Sequence, residues 1–251
     1  MNIVVFDTET TSLDKPFCYN IGMVGYNTET GEILFEREWV IEQVWYNLSL
    51  FASAYYAEKR PIYVSSMRGR TAKLVKFGRA TSEMRYLFKQ HNIEYAYAYN
   101  ASFDERVFDF NCDWYKCINP FDSLPILDIR GNVHKVIAFS SMFQDWADRH
   151  EAYTEAGNYS TTAENVYRYI TGDVDFIEDH TALSDSQIEL EILIYCIQAG
   201  TEYGVEYKTY ASVPRQVERV CTIKHMETGQ VYELPFKKIM ISKDRSKITL
   251  R

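Results

Sequence analysis

The stretch Ile3-Val4-Val5-Phe6-Asp7-Thr8-Glu9-Thr10-Thr11 decides how the chain is read. Four apolar residues, three of them β-branched, run straight into an acid, a threonine and a second acid. A run this short and this rich in β-branched side chains reads as a buried strand rather than a helix. Side chains alternate across a strand, so Asp7 and Glu9 leave the same face. Two carboxylates side by side at the end of a buried strand repel each other unless a positive charge lies between them. A hard divalent cation such as Mg2+ or Mn2+ is the natural partner of such a pair. The plain alternative is a strand that ends in a solvated acidic turn. Further ligands elsewhere in the chain would decide between the two.

The 251 residues are enough for one sizeable core with a small appendage. At 46% hydrophobic and 25% charged, the composition is that of a soluble globular protein. No uninterrupted apolar span is long enough to cross a bilayer. The N-terminal MNIVVFD lacks a basic region before its apolar run and a cleavage-like site after it, so it reads as a strand and not a signal peptide. Five cysteines, none in CxxC spacing, predict free thiols in a reducing cytoplasm, with Cys112 and Cys117 as possible neighbours. The net charge of −8 is unevenly spread: residues 207–251 hold ten Lys/Arg against four Asp/Glu. This suggests an acidic metal-binding body with a basic appendage, although a solvated basic hairpin face would look the same.

Working outward, residues 19–26 and 33–41 read as strands joined by the turn at Asn27-Thr28-Glu29-Thr30-Gly31, completing an antiparallel meander. Residues 43–60 predict one aromatic helix ending before Pro61. Residues 67–79 read as an exposed basic loop or as a phosphate-contacting arm carrying Arg68, Arg70, Lys73, Lys76 and Arg79. Met84, Leu87, Phe88 and His91 have helical spacing. An alternating strand over 95–99 leads into Ser102 and Glu105, spaced as a capping box, with Phe103, Val107 and Phe110 as the expected buried stripe of the next helix. Asp104 thereby stands just past a strand, at the edge where ligand sites of α/β folds collect. A short strand at 125–129 and helical patches near 140–150 and 162–170 follow. The acidic loop 171–179 then delivers His180 to a long apolar helix running to 199. Beyond it, segments 217–225, 230–241 and 247–250 read as strands.

Three motifs, FDTETTSL at 6–13, YNASFDERVF at 99–108 and HTALSD at 180–185, resemble in order those of the DEDD exonucleases, which have the ribonuclease H-like fold. The spacing of His180 and Asp185 resembles the DEDDh branch; the sister branch has Tyr at the position of Thr181. The resemblance covers roughly residues 1–200. It implies an α/β fold with a mixed five-stranded sheet flanked by helices, a helical insertion at about 42–80 and a small β-rich extension. The domains would be 1–205, the exonuclease domain, and 206–251, the basic extension. It also implies two ions, Mg2+ or Mn2+, held by Asp7, Glu9, Asp104 and Asp185, with His180 as general base. Thr8, Thr10, Leu13, Asn100 and Phe103 would contact the terminal nucleotide. Departures are Ser12 where Gly is usual, Tyr99 before Asn100 where His is usual, and Ser186 where Ala is common.

The function so implied is a cytoplasmic, metal-dependent 3′-to-5′ exonuclease. It would release nucleoside monophosphates from single-stranded DNA ends, favoured over RNA, alone or beside a polymerase. The alternative is a non-catalytic nucleic-acid-binding or polymerase-docking subunit on the same fold.

Overall fold

A computed structural model describes residues 1–215 in full and, beyond them, the backbone of four strands. The chain divides into two compact units, Met1–Val213 and Pro214–Arg251.

In the first unit, β1 (Asn2–Thr10), β2 (Cys18–Asn27) and β3 (Ile33–Ile41) form the expected antiparallel meander. Three short helices follow, α1 (Glu42–Trp45), α2 (Leu48–Phe51) and α3 (Arg60–Gly69), and then strand β4 (Ala72–Val75). Next come α4 (Phe77–Gln90), β5 (Ile93–Ala98), α5 (Ser102–Tyr115) and β6 (Ile126–Asp128). The unit continues with α6 (Ile129–Val133), a π turn at His134–Ala138, α7 (Ser141–Arg149), α8 (Ala163–Thr171) and α9 (Ala182–Gln198). The sheet order is β4-β3-β2-β1-β5-β6, with β1 antiparallel to β2 and parallel to β5.

The mixed sheet with helices on both faces is the expected architecture, but it has six strands rather than five. The additional one, β4, pairs in parallel with β3 from Glu38–Ala72 to Ile41–Val75. At four residues it carries too little alternation to stand out within a basic stretch. Residues 43–60 do not form one helix. The Asn47 side chain accepts from the Leu50 amide and starts a new turn, while Pro61 sits in the first turn of α3, where its missing N–H costs nothing. The basic stretch 67–79 is accordingly a helix end, a strand and a helix start rather than a loop, and Lys73 is paired with Glu83 at 2.6 Å.

Strand alternation sorts the core into two layers. Ile3 and Val5 enter a cluster with residues of α6 to α9, whereas Val4 and Phe6 enter one with residues of α4 and α5. A third cluster, with Tyr19, Trp45, Phe51 and Tyr63 at its centre, holds the segment between β3 and β4 together. The four described cysteines, Cys18, Cys112, Cys117 and Cys196, are free. No helix among the described residues is long and apolar enough to cross a membrane.

In the second unit, β7 (Arg219–Lys224) pairs antiparallel with β8 (Val231–Phe236), and β9 (Ile239–Ile241) with β10 (Ile248–Leu250). The one strand expected over 230–241 is therefore two, belonging to different sheets. The basic side chains expected beyond residue 215 lie outside the described residues.

Candidate active site

Because alternation persists to the end of β1, Asp7 and Glu9 continue the face of Ile3 and Val5, toward α9. Thr8 continues the face of Val4 and Phe6, toward α5. Each acid therefore meets a different neighbour. The Thr8 hydroxyl donates to Asp104 Oδ1 at 2.6 Å, and both side chains are buried. Glu9 Oε2 accepts from the Tyr19 hydroxyl at 3.3 Å. Asp185, on the first turn of α9, comes over the Asp7 face.

Two features of β2 let α9 lie that close. Gly22 pairs directly with Asp7, and a Cβ there would stand 2.0 Å from the backbone carbonyl carbon of Ala182. Only glycine allows the helix start to rest on the strand. The helix also lacks a cap from its own sequence, since Thr181 makes no capping bond. Instead Asn20, fully buried, accepts from the Ala182 amide at 2.9 Å and donates to Glu38 and to the Trp39 carbonyl. One of the helix's orphan donors is thus satisfied from a distant strand.

Ligand-type atoms of Glu9, His180 and Asp185 lie within 4.8 Å of one another. Asp7 and Asp104 are not in that tight trio. Burial raises both of their pKa values, and Asp104 is raised further by Asp7. Burial also raises Glu9 and Asp185, each pushed further by Asp7. A fifth carboxyl, Glu189, faces the same group. It is 4% exposed, accepts from the Tyr99 amide, and is raised by burial and by Asp7, Asp104 and Asp185. Asp185 Oδ1 is buried with no hydrogen-bond partner among the described residues. This donor set, carboxylate oxygens beside one imidazole with one Asp185 oxygen left without a partner among the described residues, fits a hard divalent cation.

His180 adopts a left-handed backbone, φ 51°. Burial lowers its pKa, which keeps the ring neutral near pH 7. Glu178 lies 3.8 Å from its Nδ1 and is itself raised to about 7, first by burial and then by Glu164.

Of the residues expected at the terminal nucleotide, Leu13 is exposed and Thr10 is half-buried. Phe103 is half-buried on α5, with the Arg106 guanidinium 5.5 Å from its ring centre. Asn100 is exposed in a left-handed turn, its amide donating to Asp128. Thr8 is different, because its hydroxyl is committed to Asp104. The expected capping box at Ser102 and Glu105 is absent: Ala101 is the cap residue, and no side chain closes it. The buried face of α5 carries Asp104, Val107, Phe108, Asn111 and Cys112, rotated from the expected stripe so that the acid turns inward. Sequence reading missed Glu189, although an acid one turn beyond Asp185 in an apolar helix marks the same face. It also missed Glu178, Tyr19, Tyr56 and Tyr63, for which no local pattern exists.

A carboxyl with a higher pKa folded than unfolded contributes stability that is complete below the unfolded pKa and lost as pH rises through the folded one. For Glu178 that window runs from 4.5 to about 7, and Glu9, pushed up to about 9, and Asp185, pushed up to about 10, lengthen it. His180 acts oppositely, but only below its ordinary 6.5. In EDTA the protein is therefore expected to melt progressively lower between about pH 5 and about pH 8, and Mn2+ to restore the loss. A flat or rising melting curve in EDTA would show that these acids are not buried together.

No family model matches the chain, and no curated protein matches it by sequence. Among solved structures, the nuclease domain of 3'hExo, a DEDDh family member bound to rAMP, is similar with a TM-score of 0.51 and 13% identity. The match covers 84% of this chain and 97% of that one. E. coli Exonuclease I in complex with a dA16 oligonucleotide matches with a TM-score of 0.47 and 15% identity, over 77% of this chain and 40% of that one. The fold over the matched residues is thus similar to that of the 3'hExo nuclease domain.

Proposed function

We propose that the chain is a metal-dependent 3′-to-5′ exonuclease acting on single-stranded nucleic-acid ends and releasing nucleoside monophosphates. The observation that carries this reading is the convergence of Glu9, His180 and Asp185, with an Asp185 oxygen that has no partner among the described residues, beside Asp7 and the buried acids Asp104 and Glu189. A non-catalytic binding module would have no use for carboxylates held at this electrostatic cost.

Asp7, Glu9 and Asp185 would hold one Mg2+ or Mn2+, and Asp104, oriented by Thr8, would help to hold a second. Bound there, the metal would activate water and stabilise the attacking and leaving oxygens of the phosphodiester. His180, neutral and within reach of Glu9 and Asp185, accepts the proton of the attacking water. Thr10, Leu13, Asn100 and Phe103 form the seat of the last nucleotide, with Thr8 contributing through its backbone. The solved neighbour carries rAMP, which supports a nucleotide seat at this site. Single-stranded 3′ ends, DNA before RNA, are the proposed substrate. A polymerase partner and a cytoplasmic setting belong to the same reading.

The test is a 5′-labelled single strand, as DNA and as RNA, incubated with Mg2+ or Mn2+. A ladder shortening from the 3′ end and abolished by EDTA is expected. His180→Ala is expected to slow it about 10²-fold or more with Mn2+ affinity retained. Internal fragments, or intact substrate under every metal and end structure, would refute the reading.

A further inference from the structure

His180 must keep its ring over the carboxylates, yet it sits on an irregular loop in a backbone region that a side chain disfavours. Within its own loop Glu178 lies 3.8 Å from Nδ1, beyond hydrogen-bond range. Two tyrosines from the segment between β3 and β4 hold it more closely. The Tyr56 ring stacks on the imidazole with centroids 4.1 Å apart and planes 12° from parallel. The fully buried Tyr63 hydroxyl donates to the His180 carbonyl at 3.2 Å. Tyr63 also packs edge-on against Tyr19, the residue that donates to Glu9.

These tyrosines stand on a firm base. Trp45 and Phe51 pack against Tyr63 and Tyr19, and the Arg60 guanidinium lies 4.3 Å over the Trp45 ring while donating to its carbonyl. The segment therefore forms a small apolar pedestal with one aromatic face turned to the histidine.

We propose that Tyr56 and Tyr63 are positioning residues: Tyr56 fixes the plane of the His180 ring by stacking, and Tyr63 fixes its backbone. The effect on turnover rests on the exonuclease reading; the placement of the ring does not. Tyr56 acts through its ring and Tyr63 through its hydroxyl, so the two call for different substitutions.

The experiment uses the full-length protein labelled with 13C-histidine, the His180 ring signal being assigned by its loss in His180→Asn. Wild type and Tyr56→Phe are expected to show that signal shifted upfield by the stacked ring, and Tyr56→Leu to move it downfield. On the single-stranded substrate, Tyr56→Leu is expected to lose about 10- to 100-fold in kcat with KM and Mn2+ affinity kept. Tyr56→Phe should stay within about twofold, whereas Tyr63→Phe should lose about tenfold. The proposal is overturned if Tyr56→Leu leaves both the signal and kcat in place, or if Tyr56→Phe falls as far as Tyr56→Leu. Should the wild type cleave nothing, the exonuclease reading falls, and the ring signal alone decides whether Tyr56 holds the histidine.

Discussion

Replacing Asp185 by asparagine is expected to lower metal-dependent cleavage roughly 10³-fold or more while making the metal-free protein melt higher at pH 8. The two effects have one cause. Asp185 shares its neighbourhood with Asp7, Glu9, Glu178 and Glu189, all acidic, and its Oδ1 has no protein partner among the described residues. Without a cation, each deprotonation in this group works against a charge already buried there. Asparagine keeps the shape, removes the cost of holding either a proton or a charge on Asp185, whose pKa is pushed up to about 10 in the fold, and can donate to a neighbouring carboxylate. Each kcal/mol so relieved is worth about 2–4 °C of melting temperature in a chain of this size. The same substitution removes a ligand from the constellation with His180 and Glu9, and chemistry that depends on a firmly held cation cannot survive it. Melting curves in EDTA at pH 8 and single-turnover cleavage in Mn2+ check the two halves. A variant that cleaves normally would remove Asp185 from the site. One that melts lower at pH 8 would show that the buried Asp185 carboxyl is not a burden to the fold.

Gly22→Ala is the second large effect, on stability and chemistry together. The new methyl would lie 2.0–2.1 Å from the Ala182 carbonyl and the Leu183 amide nitrogen. Those are backbone atoms of the α9 start and cannot rotate away. The helix must lift from β2, which strains the Asn20–Ala182 bond and carries Asp185 away from Asp7. We expect a cost of at least about 3 kcal/mol, the upper end of ordinary overpacking, and a melting temperature lower by roughly 6–12 °C. Cleavage by the folded fraction should fall about 10²-fold, as expected for a misplacement near 1 Å. The Gly22→Ala protein melting and cleaving like the wild type would mean that α9 does not rest on this strand.

The features readable in the sequence are those whose cause is local. Alternation along Ile3 to Glu9 places two acids on one face whatever the rest of the chain does, and the meander follows from its turn residues. Asp104 and Asp185 stand out because each follows an element boundary marked by short motifs. Features that depend on distant partners are silent. Strand β4 is defined by β3, and α9 is capped by Asn20 rather than by any residue of its own motif. Glu189 is hidden because a buried helix and a carboxylate-bearing helix share one apolar pattern. The rotated face of α5 was missed for a related reason: a stripe drawn from hydrophobic residues alone cannot include a buried aspartate. Tyr56 and Tyr63 reach His180 across more than a hundred positions, and no periodicity records that.

The borrowed cap on α9 also sets a schedule. The bond from Ala182 to Asn20 spans 162 positions, so this helix start can settle only after the meander exists to receive it. A growing polypeptide lays down Asp7, Glu9 and Asp104 long before His180 and Asp185 leave the ribosome, and contacts of such long range form late. For most of its synthesis the nascent protein carries only part of the acidic cluster. The proposed cutting centre is completed in a single late step, when α9 docks.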